Sequence, residues 1–85
     1  MRIAVLGTGS IGQRHIGNLL HLGHTDLVAV SRHRRRSQLV VDGQAVSVVD
    51  NADAVWSDSE VQAVFICTPT VDHLNDARRA LTAGK

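Results

Sequence analysis

Three glycines, at positions 7, 9 and 12, constrain the fold of this chain more than any other feature. They form the run Gly-Thr-Gly-Ser-Ile-Gly, which follows the apolar residues 3–6 and precedes a stretch with helical periodicity. A strand that turns sharply into a helix needs glycine at the turn, and the helix can approach the strand closely only where a side chain is missing. The spacing is typical of the first strand–turn–helix unit of a dinucleotide-binding fold.

Each glycine has a separate expected role in such a unit. Gly7 takes the backbone angles of the turn, Gly9 leaves room for a pyrophosphate beside the main chain, and Gly12 lets the helix lie close to the strand. The backbone N–H groups around Ser10 and Ile11 are expected to face the diphosphate, because a helix N-terminus carries free donors and a positive dipole end. The alternative is a glycine-rich turn with a purely structural role.

Length and composition indicate one small domain, or part of a larger protein. The 85 residues are 44% hydrophobic and 20% charged, with a net charge of +1, which is typical of an ordinary globular chain. We expect no membrane association, since no apolar run approaches the roughly 18 residues of a membrane span. The single cysteine, Cys67, cannot form an internal disulfide, so we expect a cytoplasmic protein. The histidines and Cys67 lack metal-ligand spacing, so we expect no metal.

Apolar runs and helical periods alternate along the chain. They predict strands at 2–6, 27–30, 45–49 and 61–67, and helices at 10–22, 37–41, 51–56 and 71–83, with a turn at Asp42-Gly43. The expected buried positions are Ile11, Ile16, Leu19 and Leu20 on the first helix, and Leu74, Ala77 and Leu81 on the last. This alternation predicts an α/β fold of the Rossmann type, the first half of a doubly wound parallel sheet with strand order 3-2-1-4.

The fourth expected strand is apolar on consecutive residues, 64–67, so both of its faces need cover. Its outer edge has no partner in the expected strand order, and an unpaired edge favours pairing with another chain. We therefore expect residues 1–85 to be a truncated nucleotide-binding domain that is weakly stable or self-associating, which would make it a homo-oligomer.

The end of the second expected strand bears on the choice between NADP and NAD. An acidic residue about 20 positions beyond the glycines binds a ribose 2′-hydroxyl, whereas arginine accommodates a 2′-phosphate. Here Ser31 and Arg32 occupy that place and the basic run continues to Arg36, without a nearby carboxylate. Ser31, Arg32 and Arg36 are therefore candidate ligands of the 2′-phosphate, and we expect NADP to be preferred over NAD.

Two other interpretations of the basic run are open. It could be the solvated start of a helix, although cations oppose the dipole there. It could also be a nucleic-acid patch, but the chain has only two aromatic residues, Trp56 and Phe65, and such patches need more stacking platforms. We therefore expect no nucleic-acid partner.

Three stretches together resemble the N-terminal domain of the Gfo/Idh/MocA oxidoreductases. Residues 7–15 are similar to the extended glycine fingerprint with a histidine three positions after its last glycine. Residues 66–73 resemble the family's Thr-Pro motif with a histidine four positions after the proline, and residues 80–85 resemble the helix end before its Glu-Lys-Pro motif. The resemblance implies an NAD(P)-binding domain, with hydride transfer to or from a sugar, polyol or related carbonyl compound in a longer protein.

The same resemblance places Thr68 and Pro69 near the cofactor. His73 is expected to line the cofactor edge as well, since ligands gather at the carboxyl ends of the strands; the alternative for His73 is a helix cap. Lys85 matches the lysine that precedes the Glu-Lys-Pro motif, so it does not take the family's catalytic role. No catalytic residue is assigned to this chain, and the substrate domain lies outside it. The alternative function is a non-catalytic NADP-binding regulatory or sensor module.

Overall fold

The computed structural model describes residues 2–31 and 38–85, which form an α/β structure. In chain order its elements are β1 (Arg2–Leu6), α1 (Ser10–His21), β2 (Leu27–Val30), β3 (Gln38–Val41), β4 (Gln44–Val49), α2 (Asp53–Trp56), β5 (Val61–Ile66) and α3 (Thr70–Thr82). The Rossmann-type fold class expected from the sequence is confirmed, and most element bounds agree within one or two residues.

The described strands form one sheet in the order β3-β4-β2-β1-β5. Neighbouring strands from β4 to β5 are parallel, with Ile3 opposite Leu27 on one side of β1 and Val5 opposite Phe65 on the other. Since β4 and β5 are the third and fourth strands expected from the sequence, the order 3-2-1-4 holds for this parallel part. The sheet differs from the expectation by one extra strand, β3, which pairs with β4 in the antiparallel direction.

A short helix near 37–41 was expected where β3 lies, and that prediction was wrong. Leu39 and Val41 are buried and Val40 is exposed, which is the two-residue period of a strand with one covered face. The turn after it explains the pairing: Asp42 and Gly43 have φ of 50° and 78°. Two successive positive φ values suit a tight hairpin, because their twist matches that of the flanking strands.

Side chains alternate between two cores on opposite faces of the sheet. On β1, Ile3 and Val5 pack with Ile16 of α1, whereas Ala4 and Leu6 pack with Val55 of α2. Helix α3 lies beside α2, where Arg79 pairs with Asp53 at 3.7 Å. Covered on both faces, the central strand β1 is apolar at every position after Arg2, as parallel strands are.

Three positions expected to be buried are exposed. Leu74 and Leu81 of α3 are 72% and 76% exposed, and Ile11 of α1 is 58% exposed. Asp76 and Ala80 of α3 are buried instead, with 4% and 7% of their surface exposed. Because no described strand pairs with the outer edge of β5, nothing in the described structure covers the face of α3 that carries Leu74 and Leu81. Ile11 lies in the first turn of α1, at the rim of the sheet.

Arg2 connects three segments at the amino edge of the sheet. Its Nε donates to Asp26 Oδ1 at 3.0 Å, just before β2, and its Nη1 donates to Asp58 Oδ2 at 2.7 Å, just before β5. These bonds raise the pKa of Arg2 further above its usual range, the bond with Asp26 most. The hydrogen bond from Arg2 likewise holds the pKa of the Asp58 carboxyl below its usual range.

The depressed pKa of Asp58 predicts a loss of stability in acid. The stabilisation is fully present above the unfolded pKa of about 4 and disappears as the pH falls through the lower folded pKa. We expect the free energy of unfolding, measured in urea from pH about 6 to about 3, to fall less steeply for Asp58→Asn than for the wild type. Asp50→Asn, at an exposed acid, serves as the control. Parallel curves for all three proteins would contradict the assignment.

Candidate functional site at the carboxyl edge of the sheet

A cavity of about 580 Å³ lies where β1, β2 and β5 end, on the edge opposite Arg2. Five residues expected from the sequence to form the site line it: Gly7, Gly9, Ser31, Thr68 and Pro69. They come from three separate strand ends, which the parallel arrangement brings to one edge. The volume lies in the range of small-molecule sites in proteins, and the position is where open α/β sheets bind ligands.

The turn after β1 is attached to both neighbouring strands. The N–H of Gly7 donates to the Val30 carbonyl at 2.9 Å, and the N–H of Cys67 donates to the Leu6 carbonyl at 2.8 Å. Gly7 has a φ of +100°, and a Cβ there would lie 2.6 Å from the Cys67 carbonyl oxygen. Only glycine fits both the angle and the space, so the role expected for Gly7 agrees with this geometry.

Gly9 and Gly12 have different surroundings. A Cβ at Gly12 would lie 2.0 Å from the Gly7 carbonyl oxygen, so α1 can begin here only because that side chain is absent. A Cβ at Gly9 would meet no atom within 4 Å. Packing within the protein therefore explains why position 12 must be glycine, but it does not explain the glycine at position 9. The missing side chain of Gly9 leaves open space at the cavity.

The N-terminus of α1 faces this space, and no side chain of residues 2–31 or 38–85 makes a capping hydrogen bond to it. Gly9 is the N-cap residue, and the first turn contains no acidic residue. Ser10 and Ile11 are the first two helical residues and both are exposed. Neither lines the cavity with its side chain, so their contribution to a ligand would come from backbone N–H groups, which the first turn of a helix leaves without internal partners.

At the end of β5, hydrogen bonds fix Thr68 from two sides. Its hydroxyl donates to Asp76 Oδ2 at 2.6 Å, and its carbonyl oxygen accepts from His73 Nε2 at 2.5 Å. His73 is exposed and is not among the residues that line the cavity. Its contact with Thr68 supports the β5–α3 turn. The place near the cofactor that the sequence suggested for His73 stays a prediction.

Two carboxylates that line the cavity were not expected from the sequence, Asp72 and Asp76 of α3. Asp76 is 4% exposed. Aspartate in a helix usually faces solvent, so sequence gives no signal for a buried one. Leu74 and Leu81, which were expected to face the sheet, are exposed on another side of this helix.

At the end of β2, Ser31 is 8% exposed, lines the cavity and donates its N–H to the Val49 carbonyl at 3.0 Å. Arg32 and Arg36, the other two candidates for phosphate recognition, lie outside the described residues. Their expected role therefore stays a prediction.

Cys67 and His15 have structural surroundings. Cys67 is half-buried in the cavity wall, and burial raises the pKa of its thiol, so the thiol is protonated at neutral pH. The His15 ring lies 5.3 Å from the Phe65 ring, a packing contact between α1 and β5.

Within residues 2–31 and 38–85, no group of three or more His, Cys, Asp or Glu could hold a metal ion. In the same part of the chain, no helix has the length and apolar character to cross a membrane.

Sequence comparison relates the whole chain to known dehydrogenases. The sequence model GFO_IDH_MocA, described as an oxidoreductase family with an NAD-binding Rossmann fold, matches residues 1–85. The chain is 34% identical over 88 residues to 4-carboxy-2-hydroxymuconate-6-semialdehyde dehydrogenase of Sphingobium sp. and 32% identical over 85 residues to inositol 2-dehydrogenase of Rhizobium meliloti. All of this chain is covered in both cases, but only 28% and 26% of those relatives. It thus spans about a quarter of their length.

Among solved structures, scyllo-inositol dehydrogenase from Lactobacillus casei, crystallised with NAD(H) and scyllo-inositol, superposes with a TM-score of 0.70. The match covers all of this chain and 26% of the other, at 23% sequence identity. At that identity the likeness establishes the fold.

The contrast between Gly12 and Gly9 predicts unequal costs of adding a methyl group. Gly12→Ala forces the start of α1 away from the β1 turn, and we expect the free energy of unfolding to fall by about 3 kcal/mol. Gly9→Ala meets open space at a φ of −68°, so the change should stay within about 1 kcal/mol. Urea denaturation measures both. Equal losses would show that the close approach at Gly12 is not what restricts this turn.

Proposed function

Because this chain belongs to the Gfo/Idh/MocA oxidoreductase family, we propose that it binds a nicotinamide dinucleotide at the carboxyl edge of its sheet. The observation that carries the proposal is the open space at Gly9 beside the uncapped N-terminus of α1. A Cβ missing for no internal packing reason, next to free backbone donors, is what a pyrophosphate requires. The geometry of the site and the family point to the same ligand.

The residues of the cleft fit the parts of such a cofactor. Backbone N–H groups at Ser10 and Ile11 would hold the pyrophosphate, with Gly7 and Gly12 shaping the turn that presents them. Ser31 lines the side of the cavity at β2, where the adenosine ribose is bound in folds of this type. The nicotinamide half would then lie at the β5 side, where Thr68 and Pro69 line the same cavity.

We propose NADP as the preferred cofactor and NAD as the alternative. The support is the sequence after β2: Ser31 is followed by Arg32, and the basic run extends to Arg36 without an acidic residue. Guanidinium groups pair with a 2′-phosphate through short, charge-assisted hydrogen bonds, whereas a carboxylate there would repel it.

In the whole protein, the proposed reaction is hydride transfer to or from a sugar, polyol or related carbonyl compound. The bound cofactor supplies the hydride chemistry, while the residues of this chain bind and orient it. The names of two relatives, an inositol dehydrogenase and a semialdehyde dehydrogenase, support this substrate class. Residues 1–85 would be the nucleotide-binding domain, with substrate selection elsewhere, and we assign no catalytic side chain to them.

We also propose that the protein is cytoplasmic and self-associates. The lone Cys67 is compatible with a reducing compartment. Self-association is supported by the outer edge of β5, which pairs with no described strand, and by exposed apolar side chains on α3 such as Leu74 and Leu81. An unpaired strand edge beside apolar surface is a common site of contact between chains.

Titration with NADPH tests the proposed binding. Gly9→Val places a side chain where the pyrophosphate would lie, so we expect binding to be lost while the circular dichroism spectrum stays that of the wild type. Ala45→Val, which likewise introduces a valine side chain but at an exposed position of β4, should bind like the wild type. Normal NADPH binding by a folded Gly9→Val variant would show that residues 7–12 are only a structural turn.

The cofactor preference is tested by comparing NADPH and NADH. One arginine–phosphate pair contributes about 1.5–3 kcal/mol, so we expect NADPH to bind roughly 10- to 100-fold more tightly. Arg32→Asp should reverse the order, because a carboxylate repels the phosphate and accepts from a 2′-hydroxyl. Arg78→Asp makes the same charge change on the exposed side of α3 and should not affect the ratio. Equal affinities that neither substitution changes would rule out the preference.

A further inference from the structure

A hydrogen bond between Asp76 and Thr68 joins α3 to the end of β5 at the wall of the cavity. Asp76 is 4% exposed in the middle of α3, and its Oδ2 accepts from the Thr68 hydroxyl at 2.6 Å. Burying a carboxylate is costly unless hydrogen bonds compensate for lost water. No cation among the described residues pairs with Asp76, so this contact with Thr68 is the compensation that the described structure provides.

The contact determines what Thr68 can offer a ligand. A threonine hydroxyl has one proton to donate and two lone pairs that accept. A carboxylate oxygen can only accept, so the Thr68 proton points to Asp76. The Thr68 carbonyl is already bonded to His73. What the Thr68 side chain presents to the cavity is therefore a lone pair on the hydroxyl oxygen.

The position in the cleft indicates which half of the ligand meets Thr68. The glycine turn follows the central strand β1, with the end of β2 on one side and the end of β5 on the other. In dinucleotide-binding folds the residue after the second strand contacts the adenosine ribose. The β5 side, with Thr68 and Asp76, is left for the nicotinamide–ribose half.

We infer that Asp76 is a positioning residue for that half of the cofactor, an inference that rests on the proposed function. Asp76 accepts the hydrogen bond of the Thr68 hydroxyl and thereby fixes the β5–α3 turn. The Thr68 oxygen is then oriented to accept a hydrogen bond from a neutral donor of the ligand. The donor is a ribose hydroxyl or the carboxamide N–H of the nicotinamide, the two neutral donors in that half. Adenosine and pyrophosphate do not reach this contact.

Binding of NADH, ADP-ribose and ADP to the protein, measured by calorimetry, tests the inference. Asp76→Leu removes the acceptor and leaves an apolar side chain in a buried place, and Thr68→Val removes the hydroxyl. Loss of one hydrogen bond corresponds to about tenfold weaker binding of NADH for each variant, with ADP unchanged within about twofold. The double variant should lose no more than either single one, because both remove the same contact.

Conservative variants distinguish this positioning role from a general disturbance of the structure. Thr68→Ser keeps the hydroxyl and Asp76→Asn keeps an acceptor oxygen, so both should recover most of the NADH affinity. Thr82→Val removes another hydroxyl of α3, bonded to the Arg78 carbonyl, and should leave binding unchanged. ADP-ribose identifies the donor. If its binding weakens as much as that of NADH, the ribose supplies the hydrogen bond; if only NADH weakens, the carboxamide does.

Three results would overturn the inference. The first is that Asp76→Leu binds NADH as tightly as the wild type, and the second is that its affinity for ADP falls as much as its affinity for NADH. The third concerns Asp72→Asn, which removes the same charge from the same cavity without touching the contact: a loss of NADH affinity as large as that of Asp76→Leu would assign the effect to charge. In each case wild-type binding of ADP and NADH leaves the proposed function standing. A wild type that binds neither ligand contradicts the proposed function and this inference together.

Discussion

The close approach of two backbone segments organises this structure. At Gly12 the first turn of α1 lies so near the Gly7 carbonyl that a Cβ would come within 2.0 Å of its oxygen, and Gly7 itself lies against the Cys67 carbonyl at the end of β5. Helix, turn and neighbouring strand therefore meet at this point backbone to backbone. This contact fixes the direction of α1, the place where its N-terminus opens and the spacing between the strand ends that form the cleft. The packing of Ile3 and Val5 against Ile16 follows from it.

Features that depend on local chemistry could be predicted from the sequence. The glycine spacing located the turn, the parallel order of the central strands followed from the alternation of strands and helices, and the structure placed Gly7, Gly9, Ser31, Thr68 and Pro69 around one cavity. Features that depend on which surfaces meet in the folded chain were predicted poorly. Leu39 and Val41 were expected in a helix, but they form a strand because the Asp42-Gly43 turn brings β4 alongside them. Leu74 is exposed because no described element covers it. Asp76 is buried where it accepts a hydrogen bond from Thr68, which lies eight residues away along the chain.

The middle and the β5 end of the candidate cleft have different chemistry. Around the glycine turn the available groups are backbone N–H donors, which suit an anion at the centre of a ligand. At the β5 end the side chains that line the cavity include two carboxylates, Asp72 and Asp76, together with the protonated thiol of Cys67. A ligand with one anionic centre and an uncharged end that donates hydrogen bonds matches this distribution better than a ligand with negative charge throughout.

The ion pairs of Arg2, at the start of β1, make the stability of the fold depend on salt. Arg2, Asp26 and Asp58 join β1 to the segments before β2 and β5 on the edge of the sheet opposite the cleft, and Lys85 donates to the Asp58 carbonyl on the same edge. One rim of the sheet thus includes partly exposed ion pairs, whereas the other depends on main-chain fit around glycine. Dissolved salt screens exposed ion pairs but scarcely affects steric fit. A change in ionic strength can therefore alter the free energy of unfolding while the shape of the opposite rim stays the same. Substitution of the charged residues at the first rim can have the same effect.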